Sequence, residues 1–309
     1  MTMRFSVEAW AAEYGAPMGG DGDLSPAEAA VVLDVEVPVE QWAPVTPRAG
    51  VAGPDTVLFT DGVRRVDARV WLHADAGRVR EGVCASYAAG AVRCNGKAAV
   101  VEVDVARGLF CRGQAEPILT RHGRWDVKAV AGDGAEQLAL GVQQRMGELE
   151  VAVADRVATG TELVVVDGPL TGRQGIPGAV GYVKTHRVAY LPAEVEPVVR
   201  ALAPGQRTPL FLTTGSWSRW SWYLRLAPPD GHPWSAVVRC ELSADEPLAR
   251  ARDVADVTAT RLPPFASQPH KDPRAPQNLT PIAGLERELR RRLGDAALLY
   301  RALRAAARA

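Results

Sequence analysis

The sequence predicts an α/β protein in which helices flank a mixed sheet, with an added β-hairpin and C-terminal helices. Two observations carry this prediction. Short apolar strands precede a long amphipathic helix at 135–157, and a wholly apolar strand at 163–166 follows it. A continuous apolar strand directly after a helix is typical of a buried parallel strand. The predicted order is therefore strands, helix, strand.

The first strand of the sheet is predicted at 57–60 and ends at an Asp-Gly pair, Asp61-Gly62. Residues 66–73 read as the returning strand, because β-branched and apolar residues alternate with polar ones. Two further strands are predicted at 83–88 and 98–105. Together these segments indicate an antiparallel meander.

The central helix is predicted from a stripe of apolar residues with helical spacing. The stripe consists of Leu138, Val142, Met146, Leu149 and Val153. Such spacing places these side chains on one buried face of the helix. The strand after the helix ends at a second Asp-Gly pair, Asp167-Gly168.

The remaining chain predicts a hairpin and two closing helices. The hairpin strands, 219–226 and 235–242, flank the turn-forming sequence Pro228-Pro229-Asp230-Gly231. The helices are predicted at 280–293 and 296–308. Residues 1–50 are interrupted by Gly and Pro, so we expect an irregular segment that packs on a domain formed by residues 51–309.

Composition limits the classes of function. The chain has 309 residues with 36 basic and 36 acidic side chains, a balance unlike that of proteins that coat nucleic acid indiscriminately. No apolar run is long enough to cross a bilayer, and no basic segment precedes an apolar one near the start. The four cysteines lack a C-x-x-C pair and read as reduced thiols. A cytoplasmic protein without membrane partners is expected.

The two Asp-Gly pairs are the candidate site. A carboxylate at the carboxyl end of a strand lies at the rim of the sheet, where ligands bind in open α/β folds. If the two strands are neighbours, Asp61 and Asp167 face each other and need a cation or a proton to coexist. Mn²⁺ or Mg²⁺ suits such oxygen ligands. Asp-Gly is also among the commonest turn dipeptides, so each pair alone is consistent with an ordinary turn.

A metal centre of this kind needs a third acid, and the helix before Asp167 offers two. Glu148 is the first choice, since it could point along the edge of the helix that faces the sheet. Glu150 is the alternative. Arg145 lies three residues before Glu148, so a surface ion pair is the competing interpretation of Glu148.

Several short motifs, taken in order, resemble the NurA nuclease family. They are Leu58-Phe59-Thr60-Asp61-Gly62, the helix segment 145–152, LVVVDGPL at 163–170, Gly181-Tyr182-Val183-Lys184, and the stretch from Asp272 through Asn278 to Glu286. Each motif alone is weak, and their order and spacing make the combination specific. The resemblance covers most of the chain from about residue 50 to about residue 295.

The resemblance implies a ribonuclease-H-like core that degrades DNA with Mn²⁺ or Mg²⁺. It also implies a homodimer that acts in 5′–3′ end processing with a HerA-like hexameric ATPase. Matched by position, Asp61, Glu148 and Asp167 would be the catalytic metal ligands of a two-metal mechanism. The family commonly has a Tyr and a His near its C-terminal site. Here that stretch offers Asn278, and the nearest histidine is His270, earlier in the chain.

Other residues are candidates for contacts with DNA. Lys184 could bind a phosphate from its motif position, and Arg274 could approach the site with the C-terminal helix. Asn278 completes the predicted substrate-binding set. His186 could assist as an acid, although a lone histidine near a strand is usually structural. Arg225 and Arg239 lie among the tryptophans of the hairpin and could stack on unpaired bases, or could simply face outward from a core strand.

Two alternatives to an active nuclease remain at this stage. One is a weak or inactive NurA-like adapter that binds DNA ends and an ATPase partner. The other is a sugar or acetate kinase-like phosphotransferase, a related fold that also uses strand-end aspartates. The segment 168–181 lacks a convincing phosphate-loop pattern, and the chain is short for the two lobes of such a kinase.

Overall fold

The computed structural model describes residues 25–26, 30–51, 53–73, 79–132, 134–186 and 188–308. Over these residues the protein is of mixed α/β class, and its main sheet contains eleven strands. The described residues fall into two compact units. The first unit draws on Met1–Phe59 and Thr159–Ala283, and the second on Thr60–Ala158 and Gly284–Ala309.

The strands, in chain order, are β1 (Ser25–Pro26), β2 (Ala30–Val32), β3 (Val57–His73), β4 (Val79–Asn95), β5 (Lys97–Cys111), β6 (Ile118–Thr120), β7 (Gly123–Ala129), β8 (Leu163–Asp167), β9 (Val180–Val183), β10 (Val188–Ala189), β11 (Phe211–Thr214), β12 (Arg219–Arg225) and β13 (Val237–Ser243). The helices are α1 (Ala135–Val157), α2 (Glu196–Arg200), α3 (Leu248–Arg261), α4 (Thr280–Arg292) and α5 (Ala296–Ala306). Short 3-10 turns occupy Val39–Gln41 and Pro263–Phe265.

The first unit contains the strand order β2-β11-β12-β13-β9-β8. Strands β8 and β9 are parallel, which confirms the prediction of a buried parallel strand after the central helix. Strands β12 and β13 pair antiparallel, so the predicted hairpin is also confirmed. The start of β3 runs beside β8, where the backbone N–H of Leu163 donates to the carbonyl of Thr56 over 3.1 Å.

Aromatic side chains form the core on one face of this sheet, and α3 covers the other. Phe211, Tyr223 and Trp234 pack together with helix α2. On the opposite face, Trp222 Nε1 donates to Thr258 Oγ1 of α3 over 3.1 Å. Successive side chains of β12 point to opposite faces of the sheet, so Trp222 packs on the side of α3 and its neighbour Tyr223 packs in the aromatic core.

A buried ion network holds the segment before β3 within the first unit. Arg207 is almost completely buried and donates to Glu36 and Asp256, each over 2.8 Å. Arg48 donates to Asp256 as well, over 2.7 Å. Buried charges of this kind require such partners, since a lone buried ion is costly. The predicted boundary at residue 50 stays a prediction, because residues 1–24 and 27–29 lie outside the described part of the chain.

The second unit contains strands β3-β4-β5-β7-β6. Strands β4 and β5 pair antiparallel over most of their length, as the meander predicts. The predictions of a strand end at Asp61-Gly62 and of a returning strand at 66–73 are wrong, because β3 continues through both residues to His73 as one strand. Gly62 does not adopt a positive φ, so it makes no turn.

Helix α1 begins and ends where the sequence predicts. Its buried residues are Leu138, Val142, Met146, Glu150, Val153 and Ala154. The predicted stripe contained Leu149 instead of Glu150. At this one position the apolar pattern therefore identified the residue next to the one that is buried. Helix α5 covers a second cluster, in which Leu299 and Leu303 pack against Leu109 and Trp125.

Candidate metal centre

Asp167 ends strand β8 at the carboxyl edge of the parallel pair β8–β9. The residues before it, Val164–Val166, are buried, and Asp167 lies opposite Tyr182 in the register. Gly168 has a φ of +99°, a conformation that favours glycine, so the chain turns away immediately after the carboxylate. The predicted role of this Asp-Gly pair as a strand end is therefore confirmed by the bounds of β8.

A chain of polar side chains surrounds the Asp167 carboxylate. Lys184 Nζ donates to Asp167 Oδ2 over 2.6 Å and to Asn278 Oδ1 over 2.9 Å. Asn278 Nδ2 donates in turn to Asp272 Oδ2 over 2.8 Å. The hydroxyl of Tyr182 donates to the carbonyl of Gln277 over 2.6 Å, which fixes the Asn278 segment beside β9. Of the predicted substrate-binding residues, Lys184 thus contacts Asp167 directly, and Asn278 is linked to it through Lys184.

Asp61 is positioned by strand β3 and by the close approach of α1. Its Oδ1 accepts the backbone N–H of Gly62 over 2.7 Å, and the residue is 6% exposed. A Cβ at Gly62 would collide with Glu150 Oε1 and would lie 2.9 Å from Met146 Cγ. Glycine is therefore required here by the neighbouring helix rather than by a turn. Glu150 is 1% exposed and lies beside the Asp61-Gly62 backbone.

Three carboxylates form a group that could hold a metal ion. Asp61, Asp167 and Glu286 each offer one oxygen, and these oxygens lie within 4.8 Å of one another. Asp167 Oδ1 is buried and has no hydrogen-bond partner among the described residues. Like charges held this close favour a cation between them, and an all-oxygen donor set suits Mg²⁺ or Mn²⁺. The residues present therefore fit a divalent metal.

Glu286 is the member of this group that was not predicted from the sequence. It lies on α4 among the buried residues Ile282, Leu285 and Leu289 and is only 7% exposed. An acid within the apolar stripe of a helix is the signal that could have found it, since a buried carboxylate needs a compensating partner. The same signal marks Glu150 on α1.

Glu148, the predicted helix ligand, lies on the outer side of α1. Its side chain is 47% exposed, and it pairs with Arg145 over 2.7 Å and with Gln144 over 3.1 Å. The surface ion pair considered as its competing interpretation is therefore present. The carboxylate group that could hold a metal contains Glu286 and does not contain Glu148. A metal-binding role for Glu148 stays a prediction.

The remaining predicted contact residues are spread through the first unit. Arg274 lies near the polar chain, where its backbone N–H donates to Asp272 Oδ1 over 2.7 Å. His186 is buried against Tyr223 and Trp234 and contacts the Val237 carbonyl through Nε2 at 3.0 Å. Burial lowers the pKa of His186 to about 4, so the ring is neutral at physiological pH.

The two hairpin arginines are enclosed by the protein. Arg225 donates to backbone carbonyls, including those of Ser235 and Pro233. Arg239 pairs with Glu241 over 2.8 Å and stacks at 4.0 Å on the ring of Tyr190. Both guanidinium groups bind other groups of the protein and help to hold the core together. They are enclosed, whereas arginines that stack on bases have to be accessible.

Comparisons with known proteins find a likeness among solved structures. No protein-family model matches the chain, and no curated protein is similar to it. The solved structure of the NurA nuclease from Sulfolobus solfataricus is similar with a TM-score of 0.48 and 11% sequence identity. The likeness covers 82% of this chain and 85% of that chain.

Two further predictions concern the environment of the protein. Among the described residues, no helix combines the length and the apolar character that crossing a membrane would need. The cysteines Cys84, Cys94, Cys111 and Cys240 are all buried and free of disulfides. Burial raises the pKa of Cys94 to about 11, so this thiol stays protonated.

Proposed function

We propose that the chain is a metal-dependent deoxyribonuclease that hydrolyses phosphodiester bonds at the carboxylates of Asp61, Asp167 and Glu286. The observation that carries the proposal is the convergence of these three acids to within 4.8 Å. A partly buried lysine, Lys184, beside one of them adds a positive charge of the kind that binds phosphate. The proposal includes a ribonuclease-H-like core within a domain of residues 51–309.

The proposed roles follow from the positions of the side chains. Asp61, Asp167 and Glu286 would hold the cation, which when bound acts as a Lewis acid on a phosphoryl oxygen and lowers the pKa of water. Lys184 lies at Asp167 and would contact a non-bridging phosphate oxygen. Asn278 orients Lys184 through its Oδ1, and Asp272 fixes the Asn278 amide. Two metal ions, as predicted from the sequence, are part of the proposal.

The proposed partners rest on the sequence motifs. They are DNA, a HerA-like hexameric ATPase and a second copy of the chain, acting in 5′–3′ processing of DNA ends in the cytoplasm. Mn²⁺ and Mg²⁺ are both compatible with the carboxylate set.

An inactive adapter is the second candidate, and one observation favours it. Lys184 already neutralises Asp167 Oδ2 at 2.6 Å, so the lysine would compete with a cation for that oxygen. In this case the chain would bind DNA ends and the ATPase without cleaving DNA.

The two candidates are separated by a calorimetric Mn²⁺ titration and a cleavage assay on end-labelled linear DNA. We expect the wild type to bind Mn²⁺ and to degrade DNA, and Asp61→Asn, Asp167→Asn and Glu286→Gln each to lose both properties while keeping the wild-type circular dichroism spectrum. Glu148→Gln is the matched control, since it neutralises an exposed acid of the same chain. DNA binding without Mn²⁺ binding or cleavage would establish the adapter instead. Loss of activity in Glu148→Gln but not in Glu286→Gln would favour Glu148, the ligand predicted from the sequence, over Glu286.

A further inference from the structure

Strand β3 carries a row of exposed side chains beyond Asp61, on the face that is partly covered by α1. We call this row the β3 surface; it consists of Arg64, Val66, Arg69, Trp71 and His73. Val66 is 56% exposed and Trp71 is 64% exposed, although both belong to a regular strand. Large apolar side chains this exposed within a sheet are a common sign of a binding surface.

The contacts of the intervening residues explain why these side chains share one face. Asp67 accepts a hydrogen bond from Trp125, and the next residue, Ala68, packs in the same cluster as Trp125. The alternation of the strand therefore shifts by one residue between them, which leaves Arg64 and Val66 on the same face as Arg69 and Trp71. Val70 and Leu72 pack against the cluster that contains Leu299 and Leu303 of α5. Successive side chains of a strand point to opposite faces, so Arg69, Trp71 and His73 point away from α5. Arg64, Val66 and Arg69 line one cleft together with Ala135 and Ala139 at the start of α1.

That cleft has a volume of about 300 Å³ and lies entirely within the second unit. It begins three residues beyond Asp61, a distance of roughly 10 Å along an extended strand. The β3 surface therefore starts at the candidate metal centre and leads away from it.

The charges of the β3 surface suit a phosphodiester backbone. The side chain of Arg64 is exposed and makes no ion pair or hydrogen bond with another described residue. Arg69 is 65% exposed and contacts Glu81 over 3.2 Å at the sheet surface. Arg65 differs from both, since it donates to Asp67 and to the carbonyl of Gly294 and so has a structural role. Arg64 is thus available to a phosphate, and Arg69 could exchange its exposed contact with Glu81 for one, along a strand that carries an exposed indole near its end.

We propose that the β3 surface binds single-stranded DNA that extends from the metal centre. Arg64 and Arg69 contact phosphates, and Trp71 stacks on a base. A basic track combined with exposed aromatic rings is how proteins bind single strands without sequence preference. This inference rests on the proposed nuclease function, because it makes the strand the substrate of that site.

Binding is tested in EDTA by the fluorescence anisotropy of a labelled single-stranded oligonucleotide. EDTA removes the metal, so binding is measured without cleavage. The binding result is therefore informative even if the proposed nuclease activity is not found. We expect Arg64→Gln/Arg69→Gln and Trp71→Ala each to weaken binding roughly ten-fold, the size expected when phosphate-binding charges or one base stack are removed. The double arginine variant should also flatten the slope of log affinity against log salt by roughly 0.7 for each phosphate that the protein no longer neutralises. Arg64→Lys/Arg69→Lys should keep the slope.

Two control variants remove comparable side chains from other faces of the second unit. Arg124→Gln removes an exposed arginine of β7, and Leu119→Ala removes an exposed apolar side chain of β6. Both should bind like the wild type. Equal affinities and salt slopes for all variants would overturn the proposal. So would a Trp71→Ala variant that changes only the sedimentation of the protein, which would identify the β3 surface as a contact between copies of the chain.

Discussion

Lys184 and Asp167 form an ion pair in which Nζ lies 2.6 Å from Oδ2, and both side chains are mostly buried. The other oxygen of the carboxylate, Oδ1, is buried and makes no hydrogen bond to any described residue. The two oxygens of Asp167 therefore have different roles. Oδ2 is already neutralised by the ammonium, whereas Oδ1 is a buried acceptor that a cation could satisfy.

Replacing Lys184 with Met should destabilise the metal-free protein by about 2 kcal/mol, because Asp167 loses its charge-assisted hydrogen bond. Mn²⁺ should then stabilise the variant more than the wild type, since the cation no longer competes with an ammonium. Urea unfolding with and without Mn²⁺ measures both effects. Lys97→Met, which removes an exposed lysine, is the control. An unchanged unfolding free energy for Lys184→Met would show that the ion pair contributes nothing.

Replacing Gly62 with Ala should destabilise the protein by about 1–3 kcal/mol, because the new Cβ would overlap Glu150 and press on Met146 of α1. The matched substitution is Gly147→Ala on the same helix, where a Cβ meets nothing within 4 Å. That change should stabilise the protein by about 0.5–1 kcal/mol, since Ala favours the helix. The thermal unfolding midpoint should therefore fall in Gly62→Ala and rise in Gly147→Ala. A shift of both midpoints in the same direction would contradict the packing described for Gly62.

His186 should make stability depend on pH. Burial lowers its pKa in the folded protein to about 4, from an ordinary value of 6.5. The unfolded chain therefore takes up the proton first as the pH falls. The contribution to stability is complete above pH 6.5 and is lost as the pH falls to about 4, with a total of about 3 kcal/mol.

The variant His186→Phe keeps a ring between Tyr223 and Trp234 but cannot take up a proton. Its unfolding free energy should fall less steeply than that of the wild type over this pH range. Urea unfolding at several pH values gives the comparison. His270→Phe removes an exposed histidine and should retain the wild-type slope. If the unfolding free energies of the wild type and His186→Phe changed equally with pH, protonation of His186 would be excluded as the origin of the pH dependence.

Glu241 should prove to be a positioning residue for the turn after Asp167. It is completely buried, and its Oε2 accepts the backbone N–H of Leu170 over 3.1 Å. Its Oε1 accepts hydrogen bonds from Arg219 and Arg239. Glu241→Gln leaves two enclosed arginines without their carboxylate, so we expect a loss of about 3 kcal/mol in unfolding free energy.

The turn that follows Asp167 should also loosen in this variant, so Mn²⁺ should bind more weakly. Calorimetric titration at a temperature where the variant is fully folded separates this effect from the loss of stability. Glu194→Gln, which neutralises an exposed acid of the same unit, should change neither quantity. Wild-type Mn²⁺ affinity in folded Glu241→Gln would limit Glu241 to a structural role.

The local sequence pattern correctly predicted those strands and helices whose formation depends on residues adjacent in the sequence. The apolar run before Asp167 identified β8, and Gly168 does adopt the positive φ of a chain reversal. The spacing of apolar residues placed α1 at Ala135–Val157. The same reasoning failed at Gly62, because a glycine that makes room for a helix looks identical in sequence to a glycine that makes a turn.

Sequence alone determined that Asp61 and Asp167 belong to strands of an α/β protein, since the periodicities of strands and helices can be recognised in short stretches of sequence. Only the tertiary structure shows which glutamate lies near them. Glu286 comes from helix α4, far along the chain, and one of its carboxylate oxygens lies within 4.8 Å of an oxygen of each aspartate. Glu148 and Glu150 differ by two positions, yet one is exposed and the other is buried, because the rotation of α1 about its axis is fixed by the sheet against which it packs.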